Sequence, residues 1–238
     1  MKLALGTWLS IGSPVIAELA ALCGFDWVLL DLEHGCGTEA TILPQIQAIR
    51  GTATSAIVRV GAPHPELIAR VLDWGAHGIM VPHVNSAAEA EGIVRATRYA
   101  PHGSRGFSRT VRANDYGLRP VETVRPPRVM AQIETVEGVK NASGIARVDG
   151  VDVLFIGPAD LRHDLLHRGD TAPGDYEQCL SLVLEAARNA GKPVGILVRD
   201  PADLPKHRDL GFTHIAVDSD LAILRQSYLQ TLTANSGD

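Results

Sequence analysis

Short runs of aliphatic and β-branched residues alternate with longer amphipathic stretches from one end of the chain to the other. The short runs are strand candidates at Leu3 to Trp8, Trp27 to Asp31, Ala56 to Val60, Gly78 to Val81, Arg128 to Ile133, Val153 to Ile156, Pro193 to Val198 and Thr213 to Val217, eight in all. Several are apolar without interruption, Val28-Leu29-Leu30 and Val153-Leu154-Phe155-Ile156 among them, as parallel strands buried on both faces should be. Between the strands, apolar residues at helical spacing predict helices at Pro14 to Cys23, Glu39 to Arg50, Pro65 to Trp74, Ser86 to Tyr99, Val136 to Ala146, Tyr176 to Ala190, Pro201 to Leu210 and Asp220 to Leu232. Four of them run into glycine, at Cys23-Gly24, Trp74-Gly75, Ala190-Gly191 and Leu210-Gly211. A glycine there turns left-handed and ends the helix.

Eight strand–helix units in 238 residues predict one (β/α)₈ TIM barrel domain spanning 1–238. The rival, an open doubly wound sheet, would carry a glycine-rich phosphate loop after its first strand. The glycines of Gly6-Thr7-Trp8-Leu9-Ser10-Ile11-Gly12 lack that spacing. No linker divides the chain, and the one long irregular stretch, Pro101 to Pro127, reads as a functional loop.

Composition narrows the class. With 45% hydrophobic and 21% charged residues the chain can build a packed core, yet it has no apolar run long enough to span a membrane. Its N-terminal apolar stretch is too short for a signal peptide. Lys and Arg number 22 against 27 Asp and Glu, a net charge of -5, which argues against nucleic-acid or anionic-membrane partners. Cys23, Cys36 and Cys179 are odd in number and show no C-x-x-C spacing, so a reduced cytoplasmic setting is expected.

In such barrels the chemistry stands at the C-terminal strand ends. There the sequence places Asp31-Leu32-Glu33-His34-Gly35, Arg59, Pro82-His83, Gln132 with Glu134, and Gly157-Pro158-Ala159-Asp160. Glu134 and Asp160, on adjacent strands, suit a hard divalent cation such as magnesium or manganese, and cobalt should also support activity. Equally, they could be acids in the first turn of a helix. Gln132 shares a strand face with Glu134 and would hold a substrate oxygen or a water. His34, beside Asp31 and Glu33, is a candidate general base. His83 has no acidic neighbour in sequence and is assigned a structural role. Arg59, at the inner end of a buried strand, must meet an anion. That anion is either an enolate oxygen of a substrate or a bridge to Asp31 or Glu134. None of Lys2, Lys140, Lys192 and Lys206 lies at a C-terminal strand end, so a Schiff base is not expected. Carbonyl chemistry here would then need a metal as electron sink. The loop arginines, Arg105, Arg109, Arg112, Arg119 and Arg125, fit a lid, a subunit contact or a plain solvated loop.

Gly24-Phe25-Asp26-Trp27, Asp31-Leu32-Glu33-His34-Gly35, Leu72-Asp73-Trp74-Gly75-Ala76, Met80-Val81-Pro82 and Gly103-Ser104-Arg105-Gly106 together resemble the class II pyruvate aldolases of the HpcH/HpaI family. Gln132-Ile133-Glu134-Thr135, Gly150-Val151-Asp152 and Phe155-Ile156-Gly157-Pro158-Ala159-Asp160-Leu161 resemble them most specifically. The likeness runs in order along essentially the whole chain. It implies cleavage or formation of 4-hydroxy-2-oxo acids, with pyruvate or an analogue such as hydroxypyruvate as donor and an aldehyde as acceptor. It also implies a homo-oligomer, commonly a hexamer, whose last helix packs on a neighbouring subunit. By motif match Glu134 and Asp160 would hold the metal, Gln132 would contact pyruvate, and Ala159 and Asp160 would offer backbone N–H groups to its carboxylate. His34 would be the base, Asp73 would raise its basicity, and Arg59 would stabilise the transition state. The chain departs from the family pattern at Val60-Gly61-Ala62 and in the Phe107 to Pro127 loop, where the acceptor would bind. A decarboxylase or acyl-CoA lyase on the same fold, and a non-catalytic small-acid binder, are the competing readings.

Overall fold

Alternation along each strand, repeated around the sheet, sends one set of side chains inward and the other outward. In the computed structural model, which describes residues 2–120 and 126–234, eight strands close a barrel. They are β1 (Ala4–Leu9), β2 (Trp27–Asp31), β3 (Ser55–Arg59), β4 (Gly78–Val81), β5 (Arg128–Ile133), β6 (Val153–Ile156), β7 (Val194–Val198) and β8 (His214–Ser219). Each is parallel to the next, and β8 returns to β1. The helices are α1 (Pro14–Leu22), α2 (Glu39–Ala48), α3 (Pro65–Asp73), α4 (Ala87–Thr97), α5 (Val136–Arg147), α6 (Pro158–Arg168), α7 (Tyr176–Asn189), α8 (Leu204–Leu210) and α9 (Asp220–Thr233).

Two separate apolar clusters result. Trp8, Trp27, Leu29, Ile57, Met80, Met130, Val153, Phe155 and Ala216 fill the barrel interior. Val28, Leu30, Val58, Ile79, Ala131, Leu154 and Ile196 face outward onto the helices. The interior aromatics need room from their neighbours: a side chain at Gly6 would overlap the Trp27 ring, and one at Gly195 the Phe155 ring. The four predicted helix stops are real, with positive φ at Gly24, Gly75, Gly191 and Gly211.

All eight predicted strands are present, displaced by at most two residues at their ends. One helix was not foreseen. In α6 only Leu161 is buried, and the run Arg162-His163-Asp164-Leu165-Leu166-His167-Arg168 is too polar to show an apolar stripe. The stretch from Pro101 onward also departs from the lid reading. Its described residues lie between α4 and the start of β5, at the end of the barrel opposite the C-terminal strand ends, with Arg105 on Asp73 and Arg112 on Trp74 O, away from this chain's own site. There it contains a short 3-10 turn at Arg112–Gly117. Arg125 lies outside the described residues.

Candidate active site

Strand parity brings the predicted groups together. Positions 29, 57, 80, 130 and 155 point into the barrel, so Asp31, Arg59, Gln132, Glu134 and Gly157 point inward further along the same strands. Asp31 and Arg59 are paired in register across β2 and β3. Asp31, Arg59, Gln132 and Glu134 are all nearly fully buried.

Arg59 resolves toward protein anions. Its Nε donates to Asp31 Oδ1 at 2.9 Å and its Nη2 to Asp31 Oδ2 at 2.7 Å. Its Nη1 lies 2.8 Å from Glu33 Oε2, and the guanidinium carbon stands 5.2 Å over the Trp8 ring. Burial alone would push the Asp31 carboxyl up. The Arg59 hydrogen bonds and charge, with the backbone N–H groups of Glu33 and His34, hold it below the usual carboxylate range. For Glu33 burial wins against Arg59, His34 and His83, and its carboxyl is pushed up.

His34 is exposed at the mouth, its Nε2 3.9 Å from Glu33 Oε1. Glu33 is therefore the carboxylate beside the candidate base, while Asp31 accepts the backbone N–H of His34 at 3.3 Å. Asp73 is elsewhere. It ends α3 at the opposite end of the barrel and accepts from Arg105 Nη2 at 2.6 Å. The expected pairing of Asp73 with His34 does not form within one chain. A helix that starts at the C-terminal end of one strand returns its own last residue to the N-terminal end.

Glu134 is the centre of the other half of the site. Its Oε1 accepts the His83 N–H at 2.7 Å, and its Oε2 accepts from Gln132 Nε2. Burial first, then the charges of Asp160 and Glu33, push its carboxyl up to about 7 against the opposing pull of His83. Gln132 Oε1 is buried without a hydrogen-bond partner. A side chain at Gly157 would overlap Glu134 Oε2 and come within 2.9 Å of Gln132 Nε2, so the glycine keeps this hollow open. At its edge α6 begins. Its first helical bond runs from Leu161 N–H to Gly157 O at 3.0 Å, which leaves the Ala159 and Asp160 N–H groups ahead of the ladder. A helix N-terminus of this kind favours an anion.

Two contributions escaped sequence reasoning. The sequence shows Glu33 only as a neighbour of His34, whereas it bridges Arg59, His34 and His83. His83 has no acidic neighbour in sequence. Its acidic neighbours come from other strands: Nδ1 lies 3.4 Å from Glu134 Oε1 and Nε2 lies 3.9 Å from Glu33 Oε1. Its place at a strand end was the available signal.

The residues present suit a hard cation. The donors at the hollow are oxygens, namely the Glu134 carboxylate and the unpartnered Gln132 carbonyl, with the Asp160 carboxylate near enough for its charge to act on Glu134, and such a set selects magnesium or manganese over softer ions. No group of three or more His, Cys, Asp or Glu side chains is gathered around one point among the described residues. The protein would thus supply two carboxylates and leave the remaining positions to substrate and water.

Comparison with known proteins gives the family of the chain. A family model described as HpcH/HpaI aldolase/citrate lyase matches residues 4–227. The chain is 38% identical over 226 residues to the 5-keto-4-deoxy-D-glucarate aldolase of Salmonella gallinarum (strain 287/91 / NCTC 13346), covering 94% of this chain and 88% of that one. Its fold matches that of a HpcH/HpaI aldolase/citrate lyase family protein from Burkholderia cenocepacia J2315, with a TM-score of 0.92, 36% identity and 99% and 95% of the two chains covered. It also matches the HpcH/HpaI aldolase from Desulfitobacterium hafniense DCB-2, with a TM-score of 0.91, 28% identity and coverage of 100% and 94%. On the family match and this identity over nearly its whole length, the chain belongs to the HpcH/HpaI aldolase/citrate lyase family.

Proposed function

We propose that the protein is a divalent-metal-dependent aldolase that reversibly cleaves 4-hydroxy-2-oxo acids to pyruvate, or hydroxypyruvate, and an aldehyde. The observation that supports this reading best is the Glu134 hollow: a buried carboxylate pushed up to about 7, an unpartnered carbonyl oxygen beside it, and a glycine that keeps the space clear. Glu134 and Asp160 would hold magnesium, manganese or cobalt. Such an ion supplies Lewis-acid stabilisation of the negative charge that carbon–carbon cleavage leaves on the pyruvate fragment.

The protein groups divide the remaining work. The Ala159 and Asp160 N–H groups bind the donor carboxylate, and Gln132 orients its keto end. His34 takes the proton of the 4-hydroxyl, whose oxygen becomes the aldehyde carbonyl as the bond between C3 and C4 breaks. Arg59, held rigid by Asp31 and Glu33, contributes fixed positive charge where negative charge grows. The direct test is cleavage of a 4-hydroxy-2-oxo acid with and without chelator. Full activity in excess EDTA, or trapping of a pyruvate adduct by borohydride, would overturn the reading.

The reading extends to a homo-oligomer. In α9 only Asp220 is buried, and the helix packs chiefly on β1 and β8. Leu221, Ile223, Tyr228, Leu229 and Leu232 are exposed on it, and Val15, Leu19 and Leu22 are exposed on α1. A neighbour's α9 laid over these faces would cover both, as in the hexamers of the family resemblance. Asp73 and the segment after Pro101 then have one route to a catalytic role, at the mouth of a neighbouring subunit. No helix among the described residues is long and apolar enough to cross a membrane. The three unpaired cysteines suit the cytoplasm.

A further inference from the structure

We propose that the imidazole of His83 is an acceptor-side specificity contact, reading polar substituents of the aldehyde, an inference that rests on the aldolase reading above. His83 has φ 52, a left-handed conformation in which histidine is uncommon, and its N–H is held at 2.7 Å from Glu134 Oε1. That N–H would be supplied by any residue other than proline, and by glycine with no strain. Holding Glu134 therefore accounts for the backbone and for Nδ1, 3.4 Å from Glu134 Oε1, and leaves Nε2, no closer than 3.9 Å to Glu33 Oε1, to be explained.

The ring stands where the second substrate must come. Around the barrel mouth the groups run in strand order: His34 after β2, Arg59 on β3, His83 after β4, Glu134 after β5 and Asp160 after β6. The donor sits over β5 and β6, and the base stands over β2. The shorter way round the closed barrel between them runs over β3 and β4, and the new carbon–carbon bond is placed there. The segment after β3 is Val60-Gly61-Ala62, which carries no polar side chain. A Cβ at Gly61 would make only ordinary contact, 3.5 Å from Leu32 O. Of the two segments that wall this sector, the one after β4 supplies the polar ring. The His83 side chain is 53% exposed, and it mirrors His34 across one oxygen: both Nε2 atoms lie 3.9 Å from Glu33 Oε1. An aldehyde carrying hydroxyl groups satisfies such a ring nitrogen, whereas an alkyl aldehyde strips it of water and returns nothing.

The test compares two acceptors of equal carbon skeleton, glyceraldehyde and propanal, added to pyruvate by the metal-loaded enzyme. The readout is the ratio of their kcat/KM values, in which any common loss of donor or metal binding cancels. His83→Gly deletes the ring, keeps the N–H and fits the positive φ. It should lower the glyceraldehyde-to-propanal ratio about tenfold, the scale of one lost hydrogen bond. His83→Asn keeps a polar group, tolerates the same backbone, and should recover at least half of that change on a logarithmic scale. A ratio unchanged within twofold in His83→Gly, or the same low ratio in His83→Asn, would overturn the proposal. Failure of the unmutated enzyme to exchange the methyl protons of pyruvate would instead mark failure of the aldolase reading itself.

Discussion

His34 and Arg59 stand within one carboxylate of each other yet should fail in different ways. His34→Ala removes an exposed ring that anchors nothing, so the fold and the affinity for pyruvate and metal should persist. Turnover should fall about 10²- to 10⁴-fold, the usual loss for a general base. Arg59→Lys keeps a charge but cannot reproduce the two parallel bonds to Asp31 and the third contact to Glu33. It should lower turnover and thermal stability together. Stopped-flow turnover beside calorimetry separates the two cases, and a fully active Arg59→Lys would remove Arg59 from the chemistry.

Glu134 makes a pH prediction with a definite sign. Its carboxyl titrates at about 7 in the metal-free protein and must lose its proton to bind a cation. Manganese affinity should therefore be flat above pH 7 and weaken roughly tenfold per unit below it. Linkage works the other way on the metal-free fold. A carboxyl raised above its unfolded value contributes stability that is full below about 4.5 and is lost as pH rises through about 7. Metal-free protein should then melt lower at pH 8 than at pH 5 by a margin that Glu134→Gln abolishes. A titration calorimetry series flat from pH 5.5 to 8 would contradict the account.

At the scale of elements, the strand ends do the positioning. Inward alternation along β2, β3 and β5 aims Asp31, Arg59, Gln132 and Glu134 at one space, and β6 meets them with a glycine. Gly157→Ala should leave the barrel folded and weaken manganese binding at least tenfold, because its methyl would strike Glu134 and Gln132. Unaltered affinity would mean that the hollow is not the cation site. This is also where sequence reading reached furthest. Uninterrupted apolar strands and glycine helix stops are local signals, so the barrel and the strand-end positions of His34, Arg59, Gln132, Glu134 and Asp160 were legible. The α6 helix was not, because only Leu161 marks a buried face. The roles of Glu33 and His83 depend on contacts between strand ends far apart in sequence, such as His83 to Glu134, 51 residues apart, which no local pattern encodes. Only the motif pairs Asp73 with His34, and the return path of α3 separates them within one chain.

At the scale of the molecule, the exposed apolar residues of α1 and α9 predict association. Sedimentation equilibrium at micromolar concentration should give a species several times 25.4 kDa, and Leu229→Asp with Leu19→Asp should shift it toward monomer. Activity should fall with that shift if Asp73 serves a neighbouring mouth. A fully active 25.4 kDa monomer would remove the oligomer from the mechanism. One barrel mouth should use a cation on Glu134 and Asp160 to make the methyl protons of pyruvate acidic. Proton NMR of pyruvate in D₂O with the protein and magnesium, manganese or cobalt tests it most directly. The methyl signal should decay with metal present, persist in EDTA, and persist with Glu134→Gln at any practical metal concentration. Exchange that continues at full rate in EDTA, or that survives in Glu134→Gln, would contradict it.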